Sequence, residues 1–201
     1  IKVNLLKVKK LKKNYLFLVV LGGRAEKANI ELHDVRWVIG SKIEETYDAL
    51  RKDWFGTFEG LHIDSYKKIN IVDGYKIKLK NIDNKKLKNY KCLEGNISQQ
   101  NLWFVNIGGY DPSSMQEKHE FGLVVASNSK EAKNKAKSKW LIGNKQKHKD
   151  DIASLKNFTD VDDCEQIKKV GNWEIELILE DNFIEGTNHP DWYGYRRIDK
   201  I

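Results

Sequence analysis

An acidic residue and a histidine stand two positions apart at two places in the sequence, Glu31 with His33 and Glu117 with His119. In an extended segment, residues two apart point to the same side, so each carboxylate can reach its histidine. Such a pair can orient an imidazole as a general base, or ligate a metal ion together with a third group. Asp34 points to the opposite side and would need a bulge or turn to join them. The spacing makes His33, His119, Glu31 and Glu117 candidate catalytic residues.

The same histidines also fit a structural role. His33 is in phase with Val35 and Trp37, so its ring can sit at the rim of an apolar face, bonded to a glutamate or a backbone carbonyl. Folding constraints would preserve this pattern in both places as well as function would. The sequence therefore leaves open whether the protein is an enzyme.

A glycine pair precedes each acid-histidine pair. Glycine has no side chain, so the backbone amides at such a pair can approach a ligand closely. The spacing does not match that of phosphate-binding or dinucleotide-binding loops, and a turn at the end of a strand is the other interpretation. The predicted ligand-binding residues are Gly22, Gly23, Arg24, Asp34, Gly108, Gly109 and Tyr110.

An internal repeat organises these residues. Residues 15–56 align with residues 101–142 at a constant shift of 86, and ten of the 42 columns are identical. The alignment resumes at a shift of 98, where 64–79 meets 162–177. A duplication of this kind fixes the number of copies. The identical residues of the first copy are Leu16, Val19, Gly22, Gly23, Glu31, His33, Val38, Ser41, Glu45 and Trp54.

The sequence pattern of each copy predicts the same order of elements, which is strand, loop, strand, helix, strand and strand. The segments before the glycine pairs are apolar on both faces, as central strands are. In the first copy, Ser41 and Glu44 predict a capping box, and a helical stripe ends at Trp54. Trp54 and Trp140 are predicted core anchors, and Gly74 and Gly171 mark turns.

The predicted fold class is α+β. We expect two tandem pseudo-symmetric repeats, each a mixed or antiparallel β-β-α-β-β sheet with one packed helix, forming a pseudo-twofold pair within a monomer or homodimer. The expected segments are a basic N-terminal extension (1–13), repeat 1 (14–80), a linker (81–100), repeat 2 (101–180) with an insertion near 143–158, and a C-terminal tail (181–201). The aromatic tail is expected to form an edge strand or an arm.

Composition narrows the classes of partner. The net charge is +7, but the basic residues are nearly all lysine, and arginine supplies most specific phosphate and base contacts. Nucleic acid is therefore an unlikely partner, and nonspecific binding through Lys133 to Lys149 is kept as an alternative. Two unpatterned cysteines suit a reducing compartment, and no apolar run is long enough for a membrane span. We expect a cytoplasmic protein with no membrane contact, and predict no cofactor and no metal.

The pairing of "LGGRAEKANIELHDVRWVIG" with "IGGYDPSSMQEKHEFGLVVA" resembles a bacterial family known as domain of unknown function 1543, found as one or two copies per protein. The markers are Gly-Gly, Glu-x-His-Asp and the helical tryptophan, over roughly residues 14–80 and 101–180. The second copy departs from the first with Glu120 after its histidine and Tyr110 in place of Arg24. The resemblance implies small soluble bacterial proteins and no activity that can be carried over.

The sequence favours a module that binds a small ligand or a protein partner at its paired Gly-Gly/Glu-x-His sites. The alternative is a hydrolase or metal-assisted enzyme that uses His33 and His119. An enzyme would place His33 in a pocket with an open proton-acceptor or metal-coordination position, whereas a structural role would leave its nitrogens bonded within the protein.

Overall fold

The two apolar segments that precede the glycine pairs are each the inner strand of an antiparallel sheet. This is the position predicted from their apolar residues on both faces. The structure is a computed structural model that describes residues 12–82, 100–110, 113–142, 160–181 and 189–200. The predicted insertion, most of the linker and most of the N-terminal extension lie outside the described residues.

The fold is mixed α+β, with several antiparallel sheets and two α-helices in the described part of the chain. The elements in chain order are β1 (Tyr15–Gly23), β2 (Leu32–Gly40), α1 (Tyr47–Asp53), β3 (His62–Ile69), β4 (Ile71–Val72), β5 (Tyr75–Asn81), β6 (Asn101–Tyr110), β7 (Glu117–Ala126), α2 (Ser129–Ile142), β8 (Asp160–Gln166), β9 (Lys169–Val170), β10 (Trp173–Leu179) and β11 (Trp192–Arg197).

The chain forms two compact units, and these divide the first sequence copy between Ile69 and Asn70. The first unit contains β1, β2, α1, β3 and β11. The second contains β4 to β10 with α2. None of the described helices is long and apolar enough to cross a membrane.

The first unit is built on sheet A, which has the strand order β11-β3-β1-β2. One face of β1 carries Phe17, Val19 and Leu21, which are buried in a core with Leu50 of α1 and Ile63 of β3. Removing these side chains from water is the main stabilising contribution to the unit. The C-terminal tail supplies β11 as an edge strand beside β3, as expected from its aromatic composition.

The second unit contains sheet C, with the order β7-β6-β8, and sheet B, with the order β4-β5-β10-β9. Helix α2 packs Ala132 and Ala136 against Val105, Ile107 and Val124 of sheet C. In sheet B the last strands of the two sequence copies pair with each other. The last strand of neither copy therefore joins the sheet formed by the earlier strands of that copy.

The β5–β10 pair has a local two-fold relation. Lys78 lies opposite Glu176, and these residues are equivalent at the shift of 98. Their side chains form an ion pair of 3.0 Å between Lys78 Nζ and Glu176 Oε2. The predicted turns at Gly74 and Gly171 are confirmed, since both glycines have positive φ.

The helix of the first copy differs from its prediction at both ends. It begins with a 3-10 turn, Ile43–Thr46, and α1 ends at Asp53, so Trp54 is an extended C-terminal residue and not part of the helical stripe. Trp54 is nevertheless buried in the core as predicted. Trp140 lies within α2 and packs against the core of the second unit, which confirms it as an anchor.

The predicted capping partner Glu44 is also wrong. The Ser41 backbone N–H and hydroxyl donate to Glu45 Oε2 at 3.2 and 3.0 Å. The first turn is a 3-10 turn, and Glu44 Oε1 lies instead 3.6 Å from Arg196 Nη1. The second copy repeats the observed arrangement with Ser127 and Glu131.

The pKa values of Glu45 and Glu131 both lie below the usual range. For Glu45 the main cause is the side-chain contact from Lys12, and for Glu131 it is the hydrogen bond from the Ser127 hydroxyl.

Candidate metal centre

Four polar side chains meet beside the first glycine of β1. Glu31 precedes β2, His33 lies in β2, and His62 and Asp64 lie in β3. Gly22 pairs with His33 on one side and with His62 on the other, which brings the two histidine strands together across β1. We call Glu31, His33, His62 and Asp64 the first cluster.

A β-bulge places Asp64 in this cluster. Leu21 pairs with Ile63 and Val20 pairs with Ser65, so Asp64 is the extra residue of β3. A bulge disturbs the strict alternation of side chains and can redirect one of them. Here the Asp64 carboxylate reaches both histidines.

The two carboxylates lie between the two imidazole rings. Glu31 Oε1 is 3.4 Å from Nε2 of His33 and 3.3 Å from Nε2 of His62. Asp64 Oδ2 is 3.3 Å from Nε2 of His33, and its Oδ1 is 3.1 Å from Nε2 of His62. Direct charge-assisted hydrogen bonds are shorter, at about 2.7 to 2.9 Å.

The environment of His62 identifies which of its nitrogens faces the cluster as an acceptor. The side chain is 1% exposed, and its Nδ1 lies 2.7 Å from the carbonyl oxygen of Gly60. A carbonyl can only accept, so Nδ1 carries the proton, and Nε2 of the neutral ring presents a lone pair. That lone pair faces the Glu31 and Asp64 oxygens, which are acceptors when ionised. The buried Nε2 of His62 therefore faces carboxylate oxygens, an arrangement that a metal ion between them would satisfy.

Gly22 leaves the space that the cluster occupies. A Cβ at this position would lie 2.5 Å from His62 Nε2 and 2.9 Å from Glu31 Oε1. The second glycine serves another purpose, since a Cβ on Gly23 would lie 2.7 Å from the Trp54 ring. The two members of the pair therefore make room for the polar cluster and for the core tryptophan respectively.

The C-terminal segment supports His62 from outside the cluster. The Tyr195 ring packs on the His62 ring, with centroids 4.0 Å apart. The Gly60 N–H donates to Asp199 Oδ2 at 3.0 Å, and Asp199 also pairs with Arg197. These contacts fix the residue whose carbonyl orients His62. The Arg197 and Gly60 contacts hold the pKa of the Asp199 carboxyl well below its usual range.

The structure brings some of the residues predicted from sequence together and separates others. Gly22, Glu31 and His33 meet as described above, and the side chain of His33 is 56% exposed. Asp34 lies apart from them, and its Oδ2 pairs with Arg36 Nη2 at 2.5 Å. The Arg24 carbonyl accepts hydrogen bonds from the backbone N–H and the hydroxyl of Thr57.

His62 and Asp64 are the functional candidates that sequence reasoning missed. Asp64 is identical to Asp162 at the shift of 98, and this identity could have identified it. The residue equivalent to His62 is Asp160, so comparing the copies did not reveal a histidine ligand.

The second copy carries a related cluster, which we call the second cluster, formed by Glu117, His119 and Asp162. His119 Nε2 is 3.6 Å from Glu117 Oε2, and its Nδ1 is 3.4 Å from Asp162 Oδ2. Gly108 pairs with His119, as Gly22 does with His33. The other two predicted residues, Gly109 and Tyr110, pair in backbone register with Lys118 and Glu117.

The lysine surface considered for nucleic acid is partly engaged in internal contacts. Lys135 Nζ donates to the Val125 carbonyl at 2.6 Å, and Lys139 Nζ pairs with Asp73 at 2.9 Å. Residues 143–149 of this surface lie outside the described residues. The described part therefore offers fewer free charges than the sequence suggests.

Comparison with known proteins places the two copies in one family. The model of the domain of unknown function DUF1543 matches residues 28–79 and 114–177. The chain belongs to the DUF1543 family. The two matched segments agree with the two tandem copies identified from the repeat. The chain is also similar to protein Il1583 from Idiomarina loihiensis, at 35% sequence identity and a TM-score of 0.66, over 92% of this chain and 99% of that one. No curated protein matches.

Proposed function

We propose that this DUF1543 protein is a binding module that holds a divalent transition-metal ion in the first cluster. The observation that carries the proposal is the buried Nε2 of His62, which faces two carboxylates while Nδ1 is occupied by the Gly60 carbonyl. In metal sites, a ligating histidine usually donates its other ring N–H to a carbonyl or carboxylate in this way.

The spacing of the cluster supports an ion of this size. Four atoms arranged tetrahedrally about 2.0 Å from a zinc ion lie about 3.3 Å from one another. The four histidine-carboxylate separations in the first cluster run from 3.1 to 3.4 Å. Ligand atoms of Glu31, His62 and Asp64 also lie within 4.8 Å of one another. Glu31, His62 and Asp64 thus offer three ligand atoms at suitable spacing, and His33 lies beside them.

The donor types favour Zn²⁺ or a neighbouring transition metal. One buried imidazole and two carboxylates, with a second imidazole beside them, suit borderline cations, whereas Mg²⁺ and Ca²⁺ prefer sites made of oxygen atoms. Two ionised carboxylates would also neutralise the charge of a divalent ion. The proposal replaces the sequence-based expectation that the protein has no metal site.

Zinc titration calorimetry of the chelator-treated full chain tests this proposal. His62→Gln removes the buried ligand and should weaken zinc binding by at least about 100-fold, because the effect of losing a ligand exceeds that of losing a supporting contact. His189→Gln, at an exposed histidine outside the cluster, is the matched control and should bind zinc as the original chain does. Circular dichroism checks that both variants fold.

Equal zinc affinity in His62→Gln and His189→Gln would overturn the proposal. No zinc binding by the original chain would also overturn it.

The exposure of His33 favours a second candidate function, metal-assisted hydrolysis. Catalytic zinc sites have three protein ligands and a bound water. Glu31, His62 and Asp64 could supply the ligands, with the half-exposed His33 as the base beside the water. His33→Gln distinguishes the roles. A ligand would lose zinc affinity on substitution, whereas a base would keep it and lose any zinc-dependent hydrolysis of p-nitrophenyl acetate.

We also propose that the two copies form a pseudo-twofold pair, as the sequence predicts. The β5–β10 register supports this, because Lys78 pairs with its own equivalent, Glu176. Disulfide trapping of Lys78→Cys with Glu176→Cys tests the register, since residues directly opposite in antiparallel strands can be bridged. Failure to form this disulfide, with ready formation by Lys78→Cys and Glu174→Cys, would contradict it.

A further inference from the structure

We propose that the second cluster is a separate site for a divalent cation, with a lower affinity than the first cluster, and that Mn²⁺ can occupy it. Glu117, His119 and Asp162 are the same residue types at the positions equivalent to Glu31, His33 and Asp64. The inference goes beyond the first site, because it assigns a second ion to the chain.

The second cluster has the geometry of a three-ligand site. One ligand atom from each residue lies within 4.8 Å of the other two. His119 stands between the carboxylates, with Nδ1 towards Asp162 at 3.4 Å and Nε2 towards Glu117 at 3.6 Å. The three side chains are 32 to 44% exposed, so an ion bound here would keep water ligands.

The same two backbone features, a β-bulge and a glycine, form this cluster and the first. Ile107 pairs with Val161 and Asn106 pairs with Asp163, so Asp162 is the extra residue of a β-bulge. A Cβ on Gly108 would collide with Asp162 Oδ2 and would lie 2.7 Å from Glu117 Oε1. Bulge, glycine and ligand types all recur, although only ten of the 42 columns around them are identical.

The main difference between the clusters lowers the expected affinity of the second. In backbone register, Gly22 pairs with His62 but Gly108 pairs with Asp160, so the second copy loses the imidazole that is buried in the first cluster. Fewer nitrogen ligands weaken the binding of Zn²⁺, while the remaining carboxylates and water also suit Mn²⁺.

Manganese binding to the full chain tests the inference by electron paramagnetic resonance, which detects free Mn²⁺. The matched variants are Asp162→Asn and Asp64→Asn, which make the same change at equivalent positions. The chelator-treated chain is first given one equivalent of Zn²⁺, and Mn²⁺ is then titrated. We expect Asp162→Asn to weaken Mn²⁺ binding by at least about tenfold, whereas Asp64→Asn, titrated with Zn²⁺ alone, should weaken Zn²⁺ binding at the first cluster.

The outcomes separate this inference from the proposed function. Equal Mn²⁺ affinity in the original chain and in Asp162→Asn would overturn the inference. Unchanged Zn²⁺ affinity in Asp64→Asn would instead contradict the first site and leave the second standing.

Discussion

Asp64 and Asp162 occupy equivalent structural positions, because each is the extra residue of a β-bulge on the strand that pairs with the glycine-containing strand of its copy. Each carboxylate contacts the histidine of the Glu-x-His pair in its own copy. A bulge interrupts the ladder of backbone hydrogen bonds and so weakens strand pairing. In both copies this interruption occurs together with a polar cluster.

Replacing Gly22 with alanine should damage the first cluster specifically. The new Cβ would lie 2.5 Å from His62 Nε2, whose ring is held by Tyr195 and by the Gly60 carbonyl. We expect zinc affinity to fall at least about tenfold, measured by calorimetry.

Gly23→Ala is the matched control for this change. Its Cβ would meet the buried Trp54 ring at 2.7 Å, so it should lower the melting temperature of the metal-free chain through overpacking. Neither glycine has positive φ, so the backbone conformation itself accepts alanine. Similar zinc affinities in Gly22→Ala and Gly23→Ala would refute the assignment of Gly22 to the cluster.

Asp199 should influence zinc affinity indirectly, through its contact with Gly60 and the contact of Gly60 with His62. Its carboxylate accepts the Gly60 N–H, and the Gly60 carbonyl fixes His62 Nδ1. Asp199→Asn should weaken zinc binding about tenfold, the effect typical of a contact that orients a ligand. Asp191→Asn is the control, since Asp191 accepts from Lys68 N–H elsewhere along β3 and should leave zinc affinity unchanged. Equal effects of the two substitutions would indicate a general loosening of β11.

The same carboxylate predicts a dependence of stability on pH. The Arg197 and Gly60 contacts lower the pKa of Asp199 in the folded chain, so the folded state binds fewer protons here than the unfolded state. The stabilisation is present above the ordinary aspartate pKa of about 3.9 and is lost as the pH falls towards the lowered value. Urea unfolding of the metal-free chain at pH 7 and pH 3 should show a gap between the original chain and Asp199→Asn that narrows at pH 3. A gap that widens on acidification would contradict this sign.

Asn128 should stabilise the start of α2. Its Oδ1 accepts the Glu131 N–H at 2.9 Å, which satisfies one of the free donors of the first helical turn. Asn128→Ala should cost about 1 kcal/mol and lower the melting temperature by about 2 to 4 °C. Asn134 is exposed on the same helix, so Asn134→Ala should change the melting temperature little. The cap assignment fails if calorimetric melting gives the two variants the same temperature.

Much of the fold could be predicted from the identical columns of the repeat. Leu16, Val19 and Val38 and their equivalents are buried in strands, as their apolar character requires. The columns Ser41/Ser127 and Glu45/Glu131 also held the serine–glutamate contacts at the start of each helical segment. Glu44 was chosen because capping boxes usually span three residues, and a 3-10 turn is not visible in the sequence pattern.

The site was predicted only in part, because convergence across strands depends on register. Glu31 and His33 are close in sequence and share a face, which the alternation of an extended segment makes visible. His62 and Asp64 lie on a different strand, and a β-bulge determines the direction of the Asp64 side chain. Hydrophobic pattern gives no signal for such a bulge. The pairing of β5 with β10 likewise depends on contacts between distant segments.

The β5–β10 pair shows what duplication within one chain permits. If two identical molecules met across this axis, position 78 would face itself and place like charges directly opposite each other, which destabilises strand pairing. Joined in tandem, the two positions were free to change separately. Lys78 opposite Glu176 converts a repulsion imposed by exact symmetry into an attraction.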